Sequence, residues 1–411
     1  MSQRLISREP TLKRLRDEGY DVSITGGYLL VRHIPYVTEQ REVEYGALAC
    51  PLSIAGDIIL PPADHTARFV GKTPCTRNGA RYEKIINSEV AETIELGLVA
   101  THSFSSKPQS GGYTNFYDKV ITYATILEVE AHAIDPTVTA RPFRLVPHDG
   151  TDDSVFHYID TASSRAGINA TNDKLRGQRV AIVGLGGTGS HILDLICRTW
   201  VTEIHLYDDD QLHQHNAFRM PGVLSKQDLE SPGTKVAFLA ARYESLRTGI
   251  VSHAYRIDER TAHELTRMDF VFLALTDGEA KKAIVGALEQ YDVPFADCGM
   301  GVYKVGDALA GQVRVTTSIP GHREEARRHI AFSDGEQDEY SQNIQIAELN
   351  ALNAAFAVMK WKKLNGFYLD LEHEHNSVFV LDGNTLINES GDEDAHYDQT
   401  RVRGDDPRGS R

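Results

Sequence analysis

Cysteine is scarce in this chain of 411 residues: Cys50, Cys75, Cys197 and Cys298 come no closer to one another than 25 positions. There is no C-x-x-C pair, so the sequence encodes neither a cysteine-based zinc site nor a disulfide framework, and the thiols are expected to be reduced. Long apolar runs are missing as well. The longest, such as Phe270 to Leu275, are strand-sized and far short of the ~18–20 residues of a membrane span. The opening stretch MSQRLISREPTLKRL has no apolar region behind its basic residues, so no secretory signal is expected and the anticipated location is cytoplasmic. Basic charge is also in deficit, 43 Lys and Arg against 58 Asp and Glu for a formal charge of −15. That balance argues against nucleic-acid binding as the main task, which needs a basic footprint, while leaving room for a local basic groove that holds a nucleotide. No internal repeat is visible.

What remains is the composition of a folded chain, 41% apolar and 25% charged. Its length exceeds the ~250–300 residues at which single cores stop growing, so two domains are expected. Residues 1–146 read as an N-terminal α+β domain of uncertain role. Helical spacing runs from Glu9 to Glu18 and from Tyr113 to Ile126, and strand-like segments from Gly27 to Ile34 and from Asp57 to Leu60. Residues 147–177 turn polar and read as a connector with a short helix. In residues 178–390 apolar runs alternate with helical patterns. Strands are expected at Val180 to Val183, Glu203 to Tyr207, near Val251 to Ile257, Phe270 to Leu275 and Pro294 to Asp297. Between them lie helices over Ser190 to Trp200, Lys235 to Leu246, Ala262 to Arg267 and Glu279 to Tyr291. This is the pattern of an α/β, Rossmann-like, mostly parallel sheet with helices on both faces. A strand over Gly311 to Thr317, an alanine-rich helix over Ile344 to Leu364 and a hairpin around Asp382-Gly383-Asn384 follow. Residues 391–411 are charged and nearly devoid of apolar side chains, which predicts a disordered tail.

The sharpest local signal is Gly184-Leu-Gly186-Gly187-Thr188-Gly189-Ser190, placed directly after a strand and at the opening of a helix. Glycines permit a tight turn and close backbone approach, and the helix N-terminus offers unpaired N–H groups to a phosphate. Asp208 follows at the end of the next strand, where a carboxylate can accept from ribose hydroxyls. To this point the fingerprint fits an NAD-dependent oxidoreductase equally well.

The segment beyond it separates the possibilities: Asp208-Asp-Asp210, Asn216-Ala-Phe-Arg219, Gly233-Thr-Lys235 and Thr276-Asp277-Gly278. This series resembles the ThiF/MoeB/HesA family of adenylyltransferases, relatives of ubiquitin-activating enzymes, and the likeness spans roughly residues 165 to 390. The resemblance implies an adenylation domain that uses ATP and Mg²⁺ to activate the C-terminal glycine of a small ubiquitin-like or sulfur-carrier protein. The activated tail would pass to a conjugating partner, in a bacterial ubiquitin-like modification system. It implies cofactor contacts from Gly184, Gly186, Gly187, Gly189, Asp208 (ribose), Asp210 and Asn216, catalytic roles for Arg219 and Lys235, and Asp277 as the magnesium ligand. Arg165 would serve the ATP of the partner subunit in a homodimer. Singly, each residue has a plainer reading: Asp208 or Asp210 in a turn, Lys235 solvated at a helix start, Asp277 as an N-cap, Arg165 in a solvated linker. A nucleotide-binding scaffold without turnover is a further alternative.

The chain departs from the family in lacking paired zinc cysteines and any cysteine after Cys298. Thr73-Pro-Cys75-Thr76 resembles the surroundings of a ubiquitin-activating thioester cysteine. Cys75 stands on the wrong side of the adenylation domain for that role and reads as a structural thiol, although its turn-forming neighbours predict exposure. Cys50 is the less plausible second candidate; Cys197 and Cys298 read as packing residues. Lys282, where the family often has arginine, reads as helix surface. His65, His102 and His132 have no metal-ligand spacing. Residues 1–146 look similar to the extra N-terminal region of some bacterial ThiF-like proteins.

Overall fold

The computed structural model describes residues 2–56, 58–95, 97–146, 154–230, 233–332 and 344–390. The expected tail at 391–411 and the first part of the expected connector, 147–153, lie outside them. The chain divides into two compact units, Met1–Ser154 with Tyr158–Ile168, and Val155–His157 with Asn169–Arg411.

The first unit begins with α1 (Ser2–Arg8) and α2 (Pro10–Asp17), the latter opened by the Glu9 carboxylate, which accepts from Leu12 N at 2.6 Å. Eight strands follow: β1 (Asp21–Thr25), β2 (Tyr28–Val37), β3 (Val43–Pro51), β4 (Ile54–Ala55), β5 (Ile58–Ile59), β6 (Thr66–Val70), β7 (Ile86–Glu95) and β8 (Leu98–Ser105). Six of them form one antiparallel sheet in the order β1-β2-β3-β6-β8-β7, while β4 and β5 make a separate small hairpin. The helix α3 (Phe116–His132) covers one face. Its Phe116, Val120, Tyr123 and Leu127 join Leu29, Val31, Leu48, Phe69 and Phe104 in a single core. A last short helix, α4 (Thr161–Arg165), is capped by Asp160. The expected strand over Asp57 to Leu60 is only the two-residue β5. Six strands, β1, β3, β4, β6, β7 and β8, have no counterpart in the sequence reading; β7, for one, alternates irregularly and bulges against β8 at three places.

The second unit contains α5 (Asn169–Asp173), β9 (Arg179–Val183), α6 (Gly187–Ile196), β10 (Glu203–Tyr207), α7 (Lys226–Glu230), α8 (Lys235–Tyr243), β11 (Ile250–His253), β12 (Phe270–Leu273), α9 (Gly278–Gln290), β13 (Phe295–Val305), β14 (Ala308–Ser318), α10 (Arg323–Arg327), α11 (Ala347–Leu364), β15 (Glu374–Val380) and β16 (Thr385–Ser390). The helix expected over Ala262–Arg267 is present as a 3₁₀ helix. The strands lie in the order β11-β10-β9-β12-β13-β14-β15-β16; the pairings from β11 to β13 are parallel and those from β13 to β16 antiparallel.

The continuous apolar strands are explained by burial on both faces. From β9, Val180 and Ile182 pack under α6, α8 and α11 with Ile192, Leu239 and Trp361, whereas Ala181 and Val183 point the other way, to Ile284, Val285 and Leu288 of α9. Small residues let α11 approach α6 closely: a Cβ added at Gly187 would lie 2.3 Å from the Asn350 side chain. No helix among the described residues is long and apolar enough to cross a membrane.

Candidate nucleotide site

Strand order reverses at β9, which has β10 and then β11 on one side and β12 on the other. A crevice opens at such a switch point, beyond the carboxyl ends of the parallel strands. Here it is a cleft of about 430 Å³ lined by the ends of β9, β10, β12 and β13.

Its floor is the glycine loop. Gly184 has φ +89°, and a Cβ there would meet Ala274 O at 2.5 Å; a Cβ at Gly189 would meet Gly184 O at 1.8 Å. These two glycines are needed to close the turn on itself. Gly186 differs, since a Cβ there would touch nothing within 4 Å and the residue lines the cleft. As N-cap of α6 it provides no side-chain cap, so the first-turn N–H groups and the positive end of the helix dipole are available to an anion. A phosphate chain fits this cradle.

The acidic wall follows directly from β10. Asp208 is held by two backbone donors, Leu185 N at 2.6 Å and Asp210 N at 2.9 Å, which fixes its carboxylate against the glycine loop. Lys235 is brought in by a local backbone clasp, Leu212 N to Gly233 O at 2.9 Å and Lys235 N to Asp210 O at 3.0 Å, and by Thr234 capping α8. Its buried ammonium lies 2.5 Å from Asp210 and 3.5 Å from Asp208. The hydrogen bond from Lys235 holds the Asp210 carboxyl below the usual carboxylate range. Arg219 lines the cleft half-buried, and burial lowers its pKa from the ordinary value, so its positive charge is poorly compensated and suited to an anionic ligand. Its Nε is buried with no hydrogen-bond partner among the described residues.

Asp277 lines the opposite wall. One carboxylate oxygen caps α9 by accepting from Ala280 N at 2.9 Å, and the other pairs with Arg256. The N-cap role is therefore real, and it also aims the second oxygen into the cleft. Asp208, Asp209 and Asp210 bring carboxylate oxygens within 4.8 Å of one another; Asp277 is not part of that group.

Not every expected residue reaches the cleft. Asn216 is fully buried beneath it: its Oδ1 accepts from His213 N at 2.8 Å, closing the 3₁₀ turn Gln214–Phe218 that carries Arg219. Gly189 lies under the loop. Arg165 belongs to the first unit, where its guanidinium stands 5.7 Å over the Phe143 ring. Lys282 is on the surface of α9. All four thiols are buried, Cys75 included; it sits on β-bridges to Val37 and Arg81 with Sγ 3.5 Å from Thr73 O. The predicted exposure of Cys75 fails because its turn is folded onto β2. Burial raises its pKa, and raises that of Cys50 further, to about 11.

The sequence reading missed Arg256, Asn350 and Asn353. Thr188 Oγ1 donates to Asn350 Oδ1 at 2.8 Å, tying the glycine loop to α11. Asn353 lines the cleft with Nδ2 donating to Gly299 O at 3.0 Å, while its Oδ1 is buried without a partner among the described residues. Next to the cleft, fully buried Asp297 receives Lys281 at 2.9 Å and Arg314 at 2.6 Å. The same guanidinium lies so close to Gly299 that a Cβ there would meet it at 2.7 Å.

Comparison with known proteins also finds two parts, with the boundary at residue 161. Residues 10–161 match a domain of unknown function (DUF6791), and residues 161–388 match the ThiF family. No curated protein matches. Among solved structures, MccB of E. coli with succinimide is 17% identical over 54% of this chain and 66% of that one, with a TM-score of 0.42, so the chain spans just under two thirds of its length. PaaA is 16% identical over 67% of this chain and 95% of its own, TM-score 0.42. The E. coli tRNA N6-threonylcarbamoyladenosine dehydratase TcdA is 14% identical over 50% and 92%, TM-score 0.37. With the family matched over more than half of its length, the chain belongs to the ThiF family of adenylyltransferase-like enzymes.

Proposed function

We propose that this chain adenylates the C-terminal glycine of a small ubiquitin-like or sulfur-carrier protein, with ATP and Mg²⁺, and hands the activated tail to a conjugating partner. The observation that carries the proposal is the convergence of the open Gly186 cradle with Lys235, Arg219, Asp208 and Asp277 on a single cleft. In the reaction a carboxylate oxygen of the tail bonds to the α-phosphorus of ATP, and the bond to the pyrophosphate oxygen breaks. No general base is required, because the carboxylate is already ionised at neutral pH. The charge that builds up on the leaving pyrophosphate needs fixed cations, and Lys235 and Arg219 supply them from positions set before substrate arrives. Asp208 is oriented to accept from ribose. Magnesium, when bound through the carboxylates of this wall, adds charge neutralisation; for Asp277 to take part, Arg256 has to release it. The buried thiols favour direct transfer over a thioester on this chain. A homodimer in which Arg165 serves the partner's nucleotide is part of the same proposal.

The test is ATP–pyrophosphate exchange with small glycine-terminated proteins encoded beside this one. Exchange should depend on the carrier and vanish when its last glycine is removed. Exchange that ignores the tail, or tighter binding of NADH than of ATP, would defeat the reading.

A further inference from the structure

Away from the nucleotide cleft, at the antiparallel end of the second sheet, two imidazoles and a carboxylate converge. His329 Nε2 lies 2.9 Å from Glu389 Oε2, the His329 and His375 rings are 5.8 Å apart, and a ligand atom from each of the three residues falls within 4.8 Å of the others. We propose that His329, His375 and Glu389 form a binding site for a zinc-class divalent ion that ties the end of α10 to the β15–β16 hairpin.

Three features of the fold argue for a built site. The first is a β-bulge: Glu374 pairs with Ser390 and Asn376 with Glu389, so His375 is the extra residue in β15. Bulges re-aim side chains, and this one turns His375 away from the ladder at the point where Glu389 stands opposite its neighbour. The second is satisfaction. His375 Nδ1 is buried with no hydrogen-bond partner among the described residues, a costly state for a ring nitrogen that a ligated ion would relieve. The third comes from α10, which packs on β14 and β15. His329 follows its C-terminus, its N–H donating to Ala326 O at 3.1 Å, and His322 and Glu325 from the same segment act electrostatically on His375. Water is then available for a fourth position.

The donor set selects the ion. Two imidazoles and one carboxylate suit zinc and its first-row neighbours, whereas magnesium and calcium prefer all-oxygen shells. Tetrahedral ligands at ~2.0–2.1 Å from zinc are roughly 3.3 Å apart, so small side-chain rotations suffice to close the three donors on an ion.

The experiment uses the full chain without a polyhistidine tag, stripped with chelator and titrated with Zn²⁺ alone by calorimetry, and with Co²⁺ by visible absorption. One ion per chain should bind in the absence of nucleotide, and Co²⁺ should give the intense bands of a four-coordinate site. His375→Ala and His329→Ala should each weaken binding roughly 10-fold or more, by analogy with the loss seen when metal-site residues are removed. Should a histidine variant fail to fold, Glu389→Gln, at a half-exposed position, carries the same prediction. Absence of a saturable Zn²⁺ site in the wild-type chain, saturation only at millimolar ion, or a site that survives in the His329→Ala, His375→Ala double variant overturns the assignment.

Discussion

Replacing Lys235 by alanine separates the contribution of this residue to the fold from its contribution to nucleotide binding. In the free protein its buried ammonium faces Asp210 at 2.5 Å and Asp208 at 3.5 Å. Removing one member of a buried pair costs about 3–5 kcal/mol when the other is left stranded. Here the loss is softened, because the Asp210 side chain is 66% exposed and Asp208 keeps two backbone donors. About 1–3 kcal/mol is the reasonable range, or a fall in Tm of roughly 2–12 °C for a unit of this size. Ligand binding gives the sharper contrast. At an ATP concentration of about 100 times Kd the wild-type chain gains ~2.7 kcal/mol, roughly 5–10 °C. If Lys235 supplies a charge-assisted phosphate contact worth about 100-fold, the same ATP concentration only equals Kd in the variant. The gain then shrinks to ~0.4 kcal/mol, about 1 °C. Thermal melts of both chains with and without ATP·Mg²⁺ read both quantities. An ATP-dependent shift as large in Lys235→Ala as in the wild type refutes the placement of phosphate beside Lys235, whatever happens to the unliganded Tm.

Other consequences follow from single contacts. Gly189→Ala should collapse the glycine loop and lower stability, whereas Gly186→Ala, with open space at its Cβ, should keep the unliganded Tm within a few degrees and lose ATP affinity; equal damage from both would contradict the cradle. Changing all four buried cysteines to alanine or serine, if the chain folds, should preserve pyrophosphate exchange and most transfer to the partner. A thiol-labile carrier adduct that disappears only in Cys75→Ala would reverse that expectation. Burial pushes the Glu374 carboxyl up, but hydrogen bonds from Lys360 and Lys363, both 2.6 Å from its Oε1, outweigh it and hold it down at about 2. The stability it contributes is present above pH ~4.5 and lost as pH falls toward 2, so an acid titration should show Glu374→Gln with less of this acid dependence. Arg165→Ala and Asp277→Ala chains, mixed with subunit exchange verified, should recover one working site per heterodimer; no recovery beyond the two parents places Arg165 outside the partner's site.

The sequence made the second unit readable because its signals are local. Strands buried on both faces appear as unbroken apolar runs, and the order of strand and helix then implies a parallel sheet. The first unit lacked that redundancy. An antiparallel sheet covered on one face by α3 should alternate, but β7 is mostly exposed and repeatedly bulged, and β3 carries four consecutive buried residues, Ala47 to Cys50. Neither reads as a clean period of two, so the strands were invisible while the helix over them was not.

The same distinction between local and distant runs through the cleft. Asp208, Asp210 and Lys235 come together through a backbone clasp between 208–212 and 233–235, so their spacing in the sequence encodes their meeting in space. Asn216 shows the limit of that inference: it keeps its spacing, yet its Oδ1 accepts within the turn that presents Arg219, and its buried Nδ2 has no partner among the described residues. Asn350 and Asn353 reach the site from α11, more than 130 residues beyond Asn216, and a stretch of alanine-rich helix gives no sign of which turn will cross the glycine loop. The Gly187 contact supplies the missing signal only after folding, since a side chain there would collide with Asn350. The third glycine of the loop, which also lines the cleft, is thus required by α11 whether or not a nucleotide is bound. Gly187→Ala should accordingly disturb the packing of α11 on α6 even in a chain that never meets ATP.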